Sequence, residues 1–151
     1  VERGSGEKLS VVDGTVLEVS PGETVKLAAV WPACPEEPVC GDGICSIHEL
    51  RTTCPDDCQS AQIGCGGQEE YLWLNVLTGE LDVRRESMSV AWYKTAGEYV
   101  DERTGIAEEE RADRSANEWT APRSAGSVTL WTVVRDARGG VGFRELKVNV
   151  R

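Results

Sequence analysis

The sequence has one histidine, His48, and no cysteine outside the window from Cys34 to Cys65. The first scarcity removes most nucleophilic catalysis, because a Ser-His-Asp or Cys-His arrangement would have to assemble around His48, inside a cysteine-dense segment. Glycine-rich phosphate loops, metalloprotease helices and nucleophile elbows are missing too. Acidic side chains are plentiful enough for paired-carboxylate chemistry, but the inventory as a whole reads as a non-enzyme. No run of apolar residues approaches the ~18–20 that cross a bilayer. The opening Val1-Glu2-Arg3-Gly4-Ser5-Gly6 lacks the apolar core of a signal peptide, so for an exported protein the chain is expected to be a mature fragment. Basic residues are also short. Sixteen Lys and Arg against 26 Asp and Glu give a formal charge of −10, which repels phosphate over most of the surface and argues against nucleic-acid or anionic-membrane partners.

What is present is an all-β pattern interrupted once. The 151 residues suit one domain with its own core. Residues 1–10 are polar and Gly/Ser-containing and read as a linker, and residues 11–151 as a β domain. Val25, Leu27, Ala29 and Trp31 share one phase of a strand, opposite Thr24, Lys26, Ala28 and Val30; that period of two marks a half-buried strand. Strands resume at Tyr71–Leu77, Leu81–Val83 and Met88–Lys94, and again at Val128–Val134 and Phe143–Val150, with Gly- and Pro-containing turns between them. This is the signature of a β sandwich, with Leu17, Val25, Leu27, Trp31, Val90, Trp92, Val128, Leu130, Val134, Leu146 and Val148 as its expected core. Residues 97–118 are polar and acidic and read as a solvated loop.

Residues 33–70 carry all six cysteines and three of the six prolines, with almost no apolar periodicity. Such a segment cannot build its own core and must be tied covalently or by metal. It reads as a module inserted into the β domain. Zinc would use Cys40-x4-Cys45 and Cys54-x3-Cys58 as near-range knuckles, with His48 close by, but would leave Cys34 and Cys65 spare. Disulfides are favoured, and they place the protein in an oxidising compartment.

Two stretches resemble known families. Trp119-Thr120-Ala121-Pro122, Ala125-Gly126 and Asp136-Ala137-Arg138-Gly139-Gly140 look like the end of a bacterial immunoglobulin-like domain of the polycystic-kidney-disease or cadherin-like kind. Ser89–Gly97 resembles the strand that carries the core Trp of such folds. The resemblance covers residues 11–31 and 88–151 and implies an immunoglobulin-like β-sandwich without the antibody inter-sheet disulfide. Cys40-Gly41-Asp42-Gly43-Ile44-Cys45, Glu49 and Cys54-Pro55-Asp56-Asp57-Cys58 match a C-G-D-G-x-C…E…C-P-x-D-C motif. That motif recurs in surface and secreted bacterial proteins, often of myxobacteria, and is similar to the calcium-stabilised cysteine-rich repeats of Notch-type receptors. It implies a disulfide knot around a calcium ion, with Asp42, Glu49 and Asp57 as side-chain ligands; the bland alternative gives these carboxylates turn and cap roles. Six cysteines allow many connectivities. The preferred one pairs Cys34 with Cys65 at the neck and leaves Cys40, Cys45, Cys54 and Cys58 to pair among themselves.

The functional expectation is a non-catalytic binding, adhesion or spacer module, extracellular or on the cell surface, including lipoprotein-anchored and periplasm-facing forms. Its partner would be a protein or glycan at the cell surface, and the alternative role is an accessory glycan- or peptide-binding domain of a secreted hydrolase or lipoprotein. Binding residues are usually carried on loops, so the expected contact lies in the insert or residues 98–118, with Trp73 or Tyr99 as the aromatic anchor. Trp119 is expected at one end of the sandwich. Trp131 is out of phase with Val128, Leu130 and Val134 and is expected to be covered by the insert or by the 71–83 hairpin, with a carbohydrate or protein contact as the alternative.

Overall fold

A computed structural model describes residues 1–3, 15–59 and 64–151. Its strands are β1 (Glu2–Arg3), β2 (Val16–Val19), β3 (Thr24–Val30), β4 (Glu70–Asn75), β5 (Glu80–Arg85), β6 (Met88–Lys94), β7 (Glu98–Tyr99), β8 (Arg103–Ile106), β9 (Arg114–Thr120), β10 (Gly126–Asp136) and β11 (Val141–Val150). There is no helix among the described residues, so the chain is all-β. One sheet has the order β1-β3-β9-β7, a second the order β2-β11-β10-β6-β8, and β4 and β5 form a hairpin of their own. The pairing of β2 with β11 is parallel, Leu17 lying opposite Val148.

Alternation builds the interior. In β3 the buried residues are Val25, Leu27 and Ala29, while their neighbours face out. They join Leu17, Val90, Trp92, Val128, Leu130, Leu146 and Val148 of the five-stranded sheet in a single buried cluster, with Val134 partly buried at its edge. Trp31 closes the end of β3, its indole N–H donating to the Ala112 carbonyl at 3.0 Å.

Two expectations are corrected. The polar 97–118 stretch is not a solvated loop: it contains β7, β8 and β9, and Ser115, Asn117 and Trp119 of β9 all point inward. The period of two escaped notice because two of those inward residues are polar. Their polarity is satisfied inside. Asn117 Nδ2 donates to the Asp101 carbonyl at 2.6 Å, and its Oδ1 accepts from the Asp101 and Glu118 amides. Ser115 Oγ donates to Thr104 Oγ1 at 2.7 Å, which also accepts from the Trp92 indole. Trp119, expected at one end, is fully buried at 0% exposure, its N–H donating to the Ala96 carbonyl. Gly97 makes room for that ring: its φ is +84°, and a Cβ there would sit 2.5 Å from Trp119 Nε1. The second correction concerns the first residues. Glu2 and Arg3 pair with Lys26 and Val25 of β3 rather than forming a free linker; the rest of the expected linker lies outside the described residues.

Candidate functional site

The insert is held by three disulfides, Cys34–Cys65, Cys40–Cys54 and Cys45–Cys58, with Cα–Cα distances of 5.5, 5.0 and 5.0 Å. This is the preferred pairing, and it leaves no free thiolate for zinc. Inside the knot Glu49 and Asp57 are buried, and their carboxylate oxygens lie within 4.8 Å of each other and of Cys54 Sγ. Asp57 accepts from the amides of Gly41 at 2.5 Å and Gly43 at 2.9 Å. Both glycines have positive φ, which wraps the turn around the carboxylate. Glu49 accepts from the amides of Val39 at 2.8 Å and Ser46 at 3.0 Å.

These contacts test the calcium expectation. A calcium cage offers the ion carbonyl and carboxylate oxygens; here each of the four carboxylate oxygens accepts an amide N–H. Asp42 is not brought to the pair. It is exposed, and its Oδ1 accepts from the Ile44 amide at 2.8 Å in a local turn. The donor set does not fit a calcium ion held by Asp42, Glu49 and Asp57 together. Asp57 caps the turn at Gly41 and Gly43, and Glu49 caps the amides of Val39 and Ser46.

Below the knot lies a neck rich in ion pairs. Gly67 packs so closely that a Cβ would fall 1.9 Å from the Pro32 carbonyl oxygen. Gln68 Nε2 donates to the carbonyls of Ala107 and Glu110. Glu70 meets Arg85 and, at 3.1 Å, His48, while Arg111 pairs with Glu36. The hydrogen bond with His48, and then those with Arg85, hold the Glu70 carboxyl below its ordinary pKa against the opposing effect of burial. On the other side Glu86, only 2% exposed, shares Arg138 with Glu69, and the Arg138 guanidinium lies 5.5 Å from the Tyr71 ring. Arg138 belongs to the turn between β10 and β11, so it ties the hairpin base to the five-stranded sheet. A cleft of about 220 Å³ opens beside the neck, lined by Pro35, Glu36, Glu70, Arg85 and Arg111 among others; its guanidiniums are already paired with carboxylates.

The β4–β5 hairpin is amphipathic. Leu72 and Leu74 lie opposite Val83 and Leu81, and these four with Val76 and Leu77 at the tip are all more than half exposed. The other face carries Tyr71, Trp73, Asp82 and Arg84, with the Arg84 guanidinium 4.0 Å from the Trp73 ring centroid.

The chain matches no family model, no curated protein and no solved structure.

The two expected anchors part company. Trp73 is half-buried beneath Arg84 on the hairpin. Tyr99 is no anchor: it is 9% exposed, packs 5.8 Å from the Trp92 ring and donates its hydroxyl proton to the Tyr93 carbonyl, and burial pushes its phenol above the ordinary pKa. Trp131 is flanked in register by Tyr93 on β6 and Glu145 on β11, with its indole N–H donating to Glu145 Oε2 at 2.9 Å. Trp131 is half-buried, and the hairpin forms a two-stranded sheet of its own. Sequence reasoning missed Glu69, Glu86 and Arg138. Their partners are 52 and 69 positions away, a separation at which no local pattern announces a pair.

Proposed function

We propose that this chain is a non-catalytic extracellular module of a bacterial surface or secreted protein, an immunoglobulin-like sandwich serving in adhesion, display or spacing. The observation that carries this reading is the stapled insert. Its bridges close loops with sequence separations of 31, 14 and 13, and the chain-entropy account assigns roughly 3–4 kcal/mol to each. A segment this poor in apolar side chains has nothing of similar size to replace them. Bridges of this kind persist in oxidising compartments, which supports a cell-surface, secreted or periplasm-facing location. No helix among the described residues is long and apolar enough to cross a membrane. The immunoglobulin-like reading draws support from Trp92, buried in β6 beside β10, where the resemblance expects the core Trp.

The test is production by export, followed by denaturing alkylation, protease challenge and substrate screening. The expected product has no alkylatable thiol, and its insert resists protease until dithiothreitol is added. An insert equally resistant after full reduction would remove the argument for an oxidising location. Glycoside, ester and peptide substrates should remain intact; turnover abolished by one acidic substitution would overturn the non-catalytic reading. A second reading, an accessory binding domain of a secreted hydrolase or lipoprotein, is favoured by one feature, the aromatic outer face of the five-stranded sheet.

A further inference from the structure

Strand register assembles that outer face. Its middle row runs Arg103, Ala91, Val133 and Phe143 across β8, β6, β10 and β11; on one side lie Tyr93, Trp131 and Glu145, and on the other Ser89, Arg135 and Val141. Three aromatic rings from three adjacent strands therefore share one surface. Tyr93 and Trp131 are directly opposed, about 5 Å apart at the backbone, and Phe143 is the diagonal neighbour of Trp131 at about 8 Å. Tyr93 is 50% and Phe143 71% exposed, while the Glu145 hydrogen bond fixes the Trp131 ring in advance.

The chemistry of the rim narrows the occupant. Arg103 and Arg135 are exposed and enter no ion pair among the described residues, and Lys147 stands one row further along. Lys147 is itself paired with Glu145 at 3.9 Å, which leaves Arg103 and Arg135 as the unpaired cations of these rows among the described residues. Guanidinium groups left free match carboxylates in planar, two-point hydrogen bonds. The exposed apolar area, on the order of 300 Å², is below the roughly 450 Å² of apolar surface within the ~800 Å² a protein partner covers on each side. Neither cleft at the insert and its neck includes a residue of this face, whereas small-molecule sites are concave. A ligand that is thin, extended, apolar on its ring faces and anionic at its edges answers all of these features.

We propose that the outer face of the five-stranded sheet binds a linear glycan bearing carboxylates, its pyranose rings stacking on Tyr93, Trp131 and Phe143 and its uronate groups meeting Arg103 and Arg135. The proposal deepens the binding reading above and rests on it. The probes are hexamers of galacturonate and of mannuronate, with cellohexaose as the neutral arm and a (dT)12 oligonucleotide as the nucleic-acid arm, followed by indole fluorescence and calorimetry. At least one uronate hexamer should bind with an affinity that falls as salt rises. Arg135→Ala and Phe143→Ala, both at exposed positions, should each weaken it tenfold or more without moving the melting midpoint. Leu77→Asp, at the hairpin tip, should leave it unchanged. Absence of binding by either uronate at millimolar concentration, equal binding of cellohexaose, preference for the oligonucleotide, or affinity that survives Arg135→Ala and Phe143→Ala combined would each overturn the assignment. Such a failure leaves a spacer role standing, whereas release of new reducing ends from a hexamer would strike at the non-catalytic reading itself.

Discussion

Asp57→Ala separates the two accounts of the knot. Asp57 accepts two amide hydrogen bonds, from Gly41 and Gly43 at 2.5 and 2.9 Å. Hydrogen bonds to a charged group contribute ~1.5–3 kcal/mol each, so the pair is worth at most about 6 kcal/mol. Both glycines lie at the surface, where water replaces the lost acceptor, and the realistic cost is nearer 2–3 kcal/mol. The bridges Cys40–Cys54 and Cys45–Cys58 still close the knot, so the loss should appear as local opening rather than global unfolding. Amide hydrogen exchange is the assay. Protection at Gly41 and Gly43 should drop by roughly 30- to 150-fold, the equivalent of that energy, while the amides of β10 and β11 keep theirs. In the wild type, a chelator should change neither glycine. Unchanged protection in Asp57→Ala would refute the capping role, and chelator-induced loss of protection in the wild type would restore the calcium reading in its place.

Three further outcomes follow from the same contacts. Replacing Cys34 and Cys65 together with Ser should cost roughly 3–4 kcal/mol and make residues 35–59 cleavable by protease while the two larger sheets stay intact; unchanged cleavage would show that Gln68 and the ion pairs hold the neck unaided. Asn117→Ala removes one donor and one doubly used acceptor from the interior, a loss of roughly 2–3 kcal/mol, and should lower the melting midpoint by roughly 4–12 °C in a chain of this size; an unaltered midpoint would mean that the amide is dispensable. The depressed pKa of Glu70 stabilises the folded state above the ordinary glutamate value of 4.5, and that stability is lost as pH falls below it towards the folded-state pKa. Exchange of the Glu86 amide, which bonds the Glu69 carbonyl, should accelerate across that acidic range, and Glu70→Gln should flatten the dependence; an identical pH profile in the variant would remove Glu70 from the account.

Much of this protein was legible one residue at a time. The period of two in β3 identified Val25, Leu27, Ala29 and Trp31 as an inward face, because a strand turns alternate side chains to opposite sides whatever it packs against. The cysteine spacing delimited the insert for a similar reason: a segment without apolar periodicity needs covalent ties. Polarity misled where tertiary structure reversed its usual meaning. Ser115 and Asn117 are buried because Thr104 and the Asp101 backbone wait to bond them, and those partners arrive only when β7, β8 and β9 come together. Asp57 and Glu49 were recognised as a pair of interest, but whether a carboxylate faces a cation or an amide depends on which way the surrounding backbone turns. Glu86 met Arg138 across a separation of 52 positions, a distance at which pairing is a property of the assembled sheets alone. Sequence determined the strands whose inward residues are apolar and the need for staples in the cysteine-rich segment, since these follow from local periodicity and composition; the tertiary structure decided the polar strands β7 to β9, which polar groups went inside and which aromatics stayed out, because burial and hydrogen-bond satisfaction are set jointly by elements far apart in the chain.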